Sequence, residues 1–304
     1  MVKTMNNESK NYHAEPWKEF AVRWRDLYTA PGRPSLPDIR VYRAFVEDAT
    51  RDTDGAPRVL VLGATPELRN FLHEMNCEVT IVDVNMEMIL AMTELIKDKN
   101  AKEMVLRADW GEMPLSDNYF DVVIGDLVIP NVLPEKRDAF VKRVHSVLKP
   151  GGAFVTRVFL PLDVGTEEAG EQVLVRYANI PKAETRSHEM FADLFRNIAL
   201  DTETMMYDIS RVRDFIATYK VEEGVYKHDN ENITNYLNKM WNMWKPMDKR
   251  WSVQTETGYE AMLGAHFDIH DKKVAGVCFY EHMNETFPLW YMRKKNGQEP
   301  LFSL

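Results

Sequence analysis

The chain has 304 residues, 45% hydrophobic and 28% charged, which is enough to bury a large core and is ordinary for a folded protein. Its 47 acidic residues against 38 basic ones give a formal net charge of -9, which argues against a broad nucleic-acid surface. Two cysteines, Cys77 and Cys278, exclude a disulfide scaffold, and no stretch reaches the ~20 apolar residues of a membrane span, so a reduced, cytoplasmic protein is expected.

Residues 1–13 carry no apolar periodicity. Trp17, Phe20, Ala21, Trp24 and Leu27 then recur at spacings of three and four, predicting a helix with an aromatic stripe. "TAPGRPSLPD" ends it, "IRVYRAFVEDA" predicts a second short helix, and "TRDTDGAPR" is a polar linker. From residue 57 a regular rhythm begins. A strand over 58–62 leads through Gly63 into a helix starting near Pro66, where proline suits a first turn. "EVTIVDVN" predicts a second strand ending at Asp83, followed by a helix with Met88, Met92, Leu95 and Ile96 on one side. "EMVLRADW" and "YFDVVIGD" predict strands three and four, and "PEKRDAFVKRVHSVLK" a helix stopped by "PGG" before the fifth strand, "AFVTRVF". Such alternation implies a parallel sheet covered by helices on both faces.

Residues 161–255 show helical patterns only, clearest in "HEMFADLFRNIAL", "SRVRDFIATYK" and "ENITNYLNKMWNMW". The chain closes with a helix, "GYEAMLGAHF", and a hairpin of "KVAGVCFY" and "TFPLWYMRKK". The expected organisation is an N-terminal helical extension (1–56), an α/β Rossmann-like core (57–160), a helical insertion (161–255), and a closing helix and hairpin (256–304) that complete a mostly parallel seven-stranded sheet.

Ligands of such sheets bind outside the carboxyl ends of the strands, where Asp83, Asp109 and Asp126 fall. Asp83 lies twenty residues after Gly63 and suits the two hydroxyls of a ribose. Asp109 with Trp110 offers a carboxylate for an exocyclic amine beside a surface on which a purine can stack. Each aspartate alone is equally a helix cap; three in phase along one edge specify an adenosine-bearing ligand. A dinucleotide is excluded because Ala64, Thr65 and Pro66 put side chains where a pyrophosphate needs bare glycine.

These stretches resemble the class I S-adenosylmethionine-dependent methyltransferases. "VLVLGATPELR" corresponds to the family's first motif in a variant form, "VDVN" to its ribose-binding strand end, "RADWGEMPLSDNYFDVVIGD" to its adenine segment and fourth strand, and "HSVLKPGGAFV" to its turn into strand five. The resemblance implies S-adenosyl-L-methionine as cofactor, held by Gly63, Ala64, Thr65, Arg69, Asp83, Val84, Met88, Asp109, Trp110, Asp126 and Leu127. Fewer glycines than usual in the first motif leave Thr65, Glu67 and Arg69 as candidates for the methionyl tail. Asp126 is the candidate to orient or deprotonate an acceptor, or else caps a turn.

No histidine pair has metal-ligand spacing, so no metal is expected. The aromatic residues of 161–255 and of the first helix suggest a roof over the crevice and a small-molecule acceptor with an oxygen or nitrogen nucleophile. Methylation of a protein or RNA, or a non-catalytic scaffold of the same fold, are the alternatives. Neither nucleic acid nor membrane is an expected partner, and the pattern leaves open whether the insertion is a lid or a dimerisation unit.

Overall fold

The computed structural model describes residues 24, 30–161, 169–178, 190, 193–244, 249–275 and 285–295. The core elements are α1 (Leu36–Ala49), β1 (Arg58–Leu62), α2 (Pro66–Glu74), β2 (Glu78–Asp83), α3 (Met86–Thr93), β3 (Glu103–Arg107), β4 (Phe120–Gly125), α4 (Arg137–Val147) and β5 (Leu148–Arg157). After them come α5 (Gly170–Ala178), β6 (Leu200–Asp201), β7 (Met206–Asp208), α6 (Ile209–Ala217), β8 (Lys220–Glu222), β9 (Val225–Tyr226), α7 (Glu231–Trp244) and β10 (Arg250–Ser252). The chain then returns to the core as α8 (Glu256–Gly264), β11 (Phe267–Lys273) and β12 (Leu289–Lys294).

Seven strands form one sheet in the order β11-β12-β5-β4-β1-β2-β3. β1 to β5 pair in parallel, while β12 runs antiparallel to both β5 and β11. The register follows from alternation within the strands. Val59 and Val61 face a layer built by Tyr42 and Phe45 of α1, Leu68 and Phe71 of α2, and Ile89 and Met92 of α3. Leu60 and Leu62 face Phe140 and Val144 of α4 and Tyr259 and Leu263 of α8. Both faces of the central strands are thus apolar and covered, the condition for a parallel sheet. β1 ends at Leu62 and the chain reverses through Gly63 into α2 at the carboxyl edge of the parallel strands, the edge where ligands of such sheets bind.

Four expectations need correction. "SLPD" opens α1: Ser35 Oγ accepts from Asp38 N (3.2 Å) and the Asp38 carboxylate accepts from Ser35 N (2.8 Å), a reciprocal cap. The fifth strand begins at Leu148, before "PGG", and an excursion over 149–152 lets it regain register with β4. The insertion contains strands: β10, β7 and β6 form a three-stranded sheet and β8–β9 a hairpin, each too short for alternation to show. Finally, β11 is "FDIHDKK", one strand earlier than the apolar run chosen from sequence. It is an edge strand, so its outward residues need not be apolar. Residues 276–284, including Cys278, and the expected first helix apart from Trp24 lie outside the described residues. No helix of the described residues is long and apolar enough to cross a membrane.

Candidate active site

Gly63 makes the turn at the end of β1 in a left-handed backbone conformation (φ 85°) that a side chain would disfavour, and its N–H donates to Val82 O at 2.9 Å. A Cβ built there would lie 3.8 Å from the Trp110 ring and 3.9 Å from Asp83 Oδ2, so these three residues meet at one point. Trp110 is fixed by its indole N–H, which donates to Val82 O (2.8 Å). Asp83 Oδ1 accepts from Asn85 N (2.8 Å) at the start of α3, and Asn85 caps the N–H of Met88 (3.0 Å), which brings Val84 and Met88 beside the same strand end. Burial pushes the Asp83 carboxyl up to about 6, against the opposing pull of backbone N–H groups and of Lys249. Asp109 sits further out, accepting from Gly111 N (2.8 Å) and pairing with Lys136 at 3.2 Å.

At the end of β4 the backbone turns sharply. Gly125 has no room for a side chain, since a Cβ would come within 2.5 Å of Val128 and 2.9 Å of Leu62 O. Leu127 is held left-handed (φ 52°), and its carbonyl accepts from Asn131 Nδ2 at 2.6 Å. Asp126 lies between them, its side chain only 4% exposed. Arg157, at the end of β5, donates to both its oxygens (2.6 and 2.8 Å), and the Tyr42 hydroxyl donates to Oδ1 (2.9 Å). Arg157 also faces Asp38 (3.6 Å) and donates to Pro31 O (2.9 Å). Burial opposes the Arg157 charge, but Asp126 and Asp38 more than restore it and hold the guanidinium above its ordinary range. The structure thus places Asp126, the residue expected to orient or deprotonate an acceptor, in an ion pair that engages both of its oxygens within the fold.

Arg69 requires a correction. It is fully buried and donates Nε to Glu103 Oε1 (2.9 Å), Nη2 to Glu103 Oε2, and Nη2 to Thr93 Oγ1 (2.9 Å). The bridge ties α2 to α3 and to the start of β3, at the opposite end of that strand from the crevice, so Arg69 holds no cofactor carboxylate. Thr65 remains available, as the cap residue of α2 whose side chain makes no capping bond. Ala64 beside it is buried.

Three contributors escaped sequence reasoning because only tertiary closeness reveals them: Tyr42, Arg157 and Lys249. Lys249, just before β10, is 2% exposed, and its Nζ lies 5.3 Å from the Trp251 ring centroid. Burial pulls its amine well below the ordinary lysine range, and the charge of Asp83 pulls the other way. The insertion thus comes within electrostatic reach of Asp83 at the end of β2. It is also stacked on the end of β5, with Phe159 on Tyr207 (5.0 Å, 7°) and Tyr207 on Phe195 (4.5 Å, 8°). Arg137 of α4 donates to Ser252 O of β10 (2.6 Å).

Residues 62–156, the segment that builds this crevice, match the family described as "Methyltransferase domain". The chain is a methyltransferase enzyme. Its cofactor is S-adenosyl-L-methionine. A curated relative, the ubiquinone/menaquinone biosynthesis C-methyltransferase UbiE of Neisseria meningitidis, is 24% identical over 173 residues, covering 55% of this chain and 69% of its own. Two solved structures share the fold. The PH0226 protein of Pyrococcus horikoshii has TM-score 0.53 and 17% identity, covering 90% of this chain and 99% of its own. A Rhodobacter sphaeroides protein named among zinc-dependent alcohol dehydrogenases has TM-score 0.57 and 15% identity, covering 94% and 99%. The methyltransferase's crevice suits its cofactor on two counts. A desolvated carboxylate, Asp83, stands beside a bare glycine at the end of β1, and Thr65 and Pro66 follow that glycine where phosphates would need open backbone.

Proposed function

We propose that the enzyme methylates an oxygen or nitrogen atom of a small organic acceptor enclosed beneath the segment 161–255. The observation that supports this reading is the column Phe159–Tyr207–Phe195, which stacks residues of the insertion on the residue just past the carboxyl end of β5. Bound in the crevice, S-adenosyl-L-methionine supplies a methyl group already activated on a sulfonium. The chain's part is to bind, align and keep water out. In this reading Asp83 accepts from the ribose hydroxyls, Gly63 and Trp110 set the adenosine's height above the sheet, and Val84 and Met88 pack beside it. Asp109 stands at the rim for the base's amine. Asp126 and Leu127 shape the floor, with Arg157 holding the Asp126 carboxylate in place.

With the Asp126 carboxylate committed to Arg157, a carbon nucleophile is the second reading, favoured by the C-methyltransferase activity in the Neisseria relative's name. One experiment separates these outcomes. The purified protein is incubated with methyl-labelled cofactor and a cell extract split into small-molecule, protein and RNA fractions. Label entering the small-molecule fraction, with its position in the product read by NMR, supports the proposal. Label entering protein or RNA overturns it.

A further inference from the structure

We infer that Arg137, with the Ser252 hydroxyl beside it, anchors a carboxylate of the acceptor, so that the substrate is an organic acid methylated at another of its atoms. The inference rests on the small-molecule reading and names the chemical class of that substrate. Arg137 opens α4 and is only 4% exposed. Among the described residues its guanidinium makes one hydrogen bond, from Nη2 to Ser252 O at 2.6 Å, and pairs with no carboxylate. Its Nε is buried without an acceptor, and Ser252 Oγ is buried without a partner of its own. Arg157 shows the contrast: also buried, it is gripped by Asp126 and faces Asp38. A lone cation taken out of water is costly, and a ligand that brings an anion relieves the cost.

The place belongs to the carboxyl edge of the sheet. Lys136, just before Arg137, reaches Asp109 beyond the end of β3 (3.2 Å). Ser252 ends β10, which packs on the turn Ile129–Asn131 beyond the end of β4. Burial pulls the Arg137 guanidinium below its ordinary range, and the opposing influence is the Tyr259 phenol, which donates to Phe159 O at 3.2 Å past the end of β5. Arg137 is thus tied to the ends of β4 and β5, while Gly63 and Asp83 mark the ends of β1 and β2 for the cofactor. The N-terminus of α4 adds partial positive charge there. A carboxylate fits this pair in number and shape. Lys249, the other buried cation next to β10, already has the charge of Asp83 acting on it. One unmatched cation balances one negative charge, and a planar carboxylate can accept from Nε–H and from the Ser252 hydroxyl together. A phosphate monoester would bring a second charge with no cation left to meet it.

The test uses the enzyme with methyl-labelled S-adenosyl-L-methionine and the small-molecule fraction of a cell extract. The labelled product is run on an anion exchanger at neutral pH, before and after alkaline phosphatase. Because the anchored acid is not the methylated atom, the label should be retained as an anion and stay retained after phosphatase. Unretained label, or retention lost to phosphatase, overturns the anchor while the small-molecule reading stands. When whole extract is used, label confined to protein or RNA overturns the reading beneath it. Two variants test the residues. Arg137→Gln keeps a donor for Ser252 O without the charge, and Ser252→Ala keeps that carbonyl without the hydroxyl. Arg137→Gln should need about tenfold or more extract to reach half its maximal rate, and Ser252→Ala about threefold, with S-adenosylhomocysteine affinity within about twofold in both. Ligand-free Arg137→Gln should melt no lower than the wild type, since it removes a buried unpaired charge. A lower melting temperature with an unchanged dependence on extract makes Arg137 a brace between α4 and β10 and overturns the anchor.

Discussion

Arg157 and Asp126 meet in a two-pronged ion pair, Nε to Oδ1 at 2.6 Å and Nη2 to Oδ2 at 2.8 Å, with side chains 2% and 4% exposed. The pair joins the ends of β4 and β5, and Tyr42 of α1 bonds both: its hydroxyl donates to Asp126 Oδ1 and accepts from Arg157 N (2.8 Å). Three elements that converge on the crevice are thus locked through one carboxylate. Removing its charge leaves a buried guanidinium with only Asp38 opposite. Asp126→Asn should therefore lower stability by about 3 to 5 kcal/mol, the usual consequence of breaking a buried pair from one side. Denaturant unfolding measures this directly. A well-folded Asp126→Asn protein that has lost turnover would return the residue to the role of catalytic base.

Asp83 gives a pH prediction in two parts. Its carboxyl, pushed up to about 6 by burial, must be ionised to accept two ribose hydroxyls. Cofactor affinity should hold above that pH and fall as pH drops through it, and Asp83→Asn should flatten the profile while weakening binding by about 1 to 3 kcal/mol. The stability sign is the reverse. Because the folded protein holds this proton more tightly than the unfolded chain, Asp83 contributes stability below the ordinary carboxylate range. That contribution is lost as pH rises toward 6, reaching a cost of up to about 3 kcal/mol at neutral pH. Asp83→Asn should then raise the ligand-free melting temperature at pH 7 while binding less cofactor. Calorimetric titration and thermal scans of the same two proteins check both halves.

Lys249 tests whether the insertion shares the cofactor's strand end. Its charge is one of the influences holding the Asp83 carboxyl down against burial. In Lys249→Met that influence is gone, so the acid fall in cofactor affinity should move to higher pH than in the wild type. Stability at neutral pH should rise, because a buried cation whose pKa is depressed by desolvation costs free energy. An unchanged affinity profile in Lys249→Met would separate the insertion from the ribose position.

How far the sequence could be read depends on how local the determining physics is. β1, β2 and β4 are buried on both faces, so their apolar runs stand out, and Gly63 and Asp83 are placed by the strand ends alone. β11 was misplaced because an edge strand needs no apolar run, and "FDIHDKK" has almost none. β6, β7 and β10 have two or three residues each, fewer than one period of any pattern can reveal. Arg69 looked like a ligand for a tail because its partner, Glu103, is 34 positions away. The same distance problem hid Arg157, whose partner is 31 positions off, and Lys249, which acts on a residue from the far side of the insertion. Residue type and strand-end position carried the cofactor reading; charge pairing across the fold had to be seen.

The last prediction concerns the roof. Tyr207 is fully buried between Phe159 of the sheet and Phe195 of the insertion, stacked nearly parallel on both. Phe159 continues the column onto Phe287, next to β12, at 4.8 Å. Tyr207→Ala removes the middle ring, and a buried aromatic truncated to alanine costs about 3 to 5 kcal/mol where the site cannot collapse. The hole would open at the seam between insertion and sheet, while the central strands keep their own two apolar layers. The insertion should therefore loosen before the core does. Limited proteolysis should cut within 200–255 faster than in the wild type, and S-adenosylhomocysteine affinity should stay within about threefold, since Asp83, Gly63 and Trp110 are untouched. Turnover should fall much more, because methyl transfer needs acceptor and methyl aligned at about 3 to 3.5 Å with water excluded. A Tyr207→Ala protein with intact turnover and a protease-sensitive insertion would mean that 161–255 does not cover the acceptor.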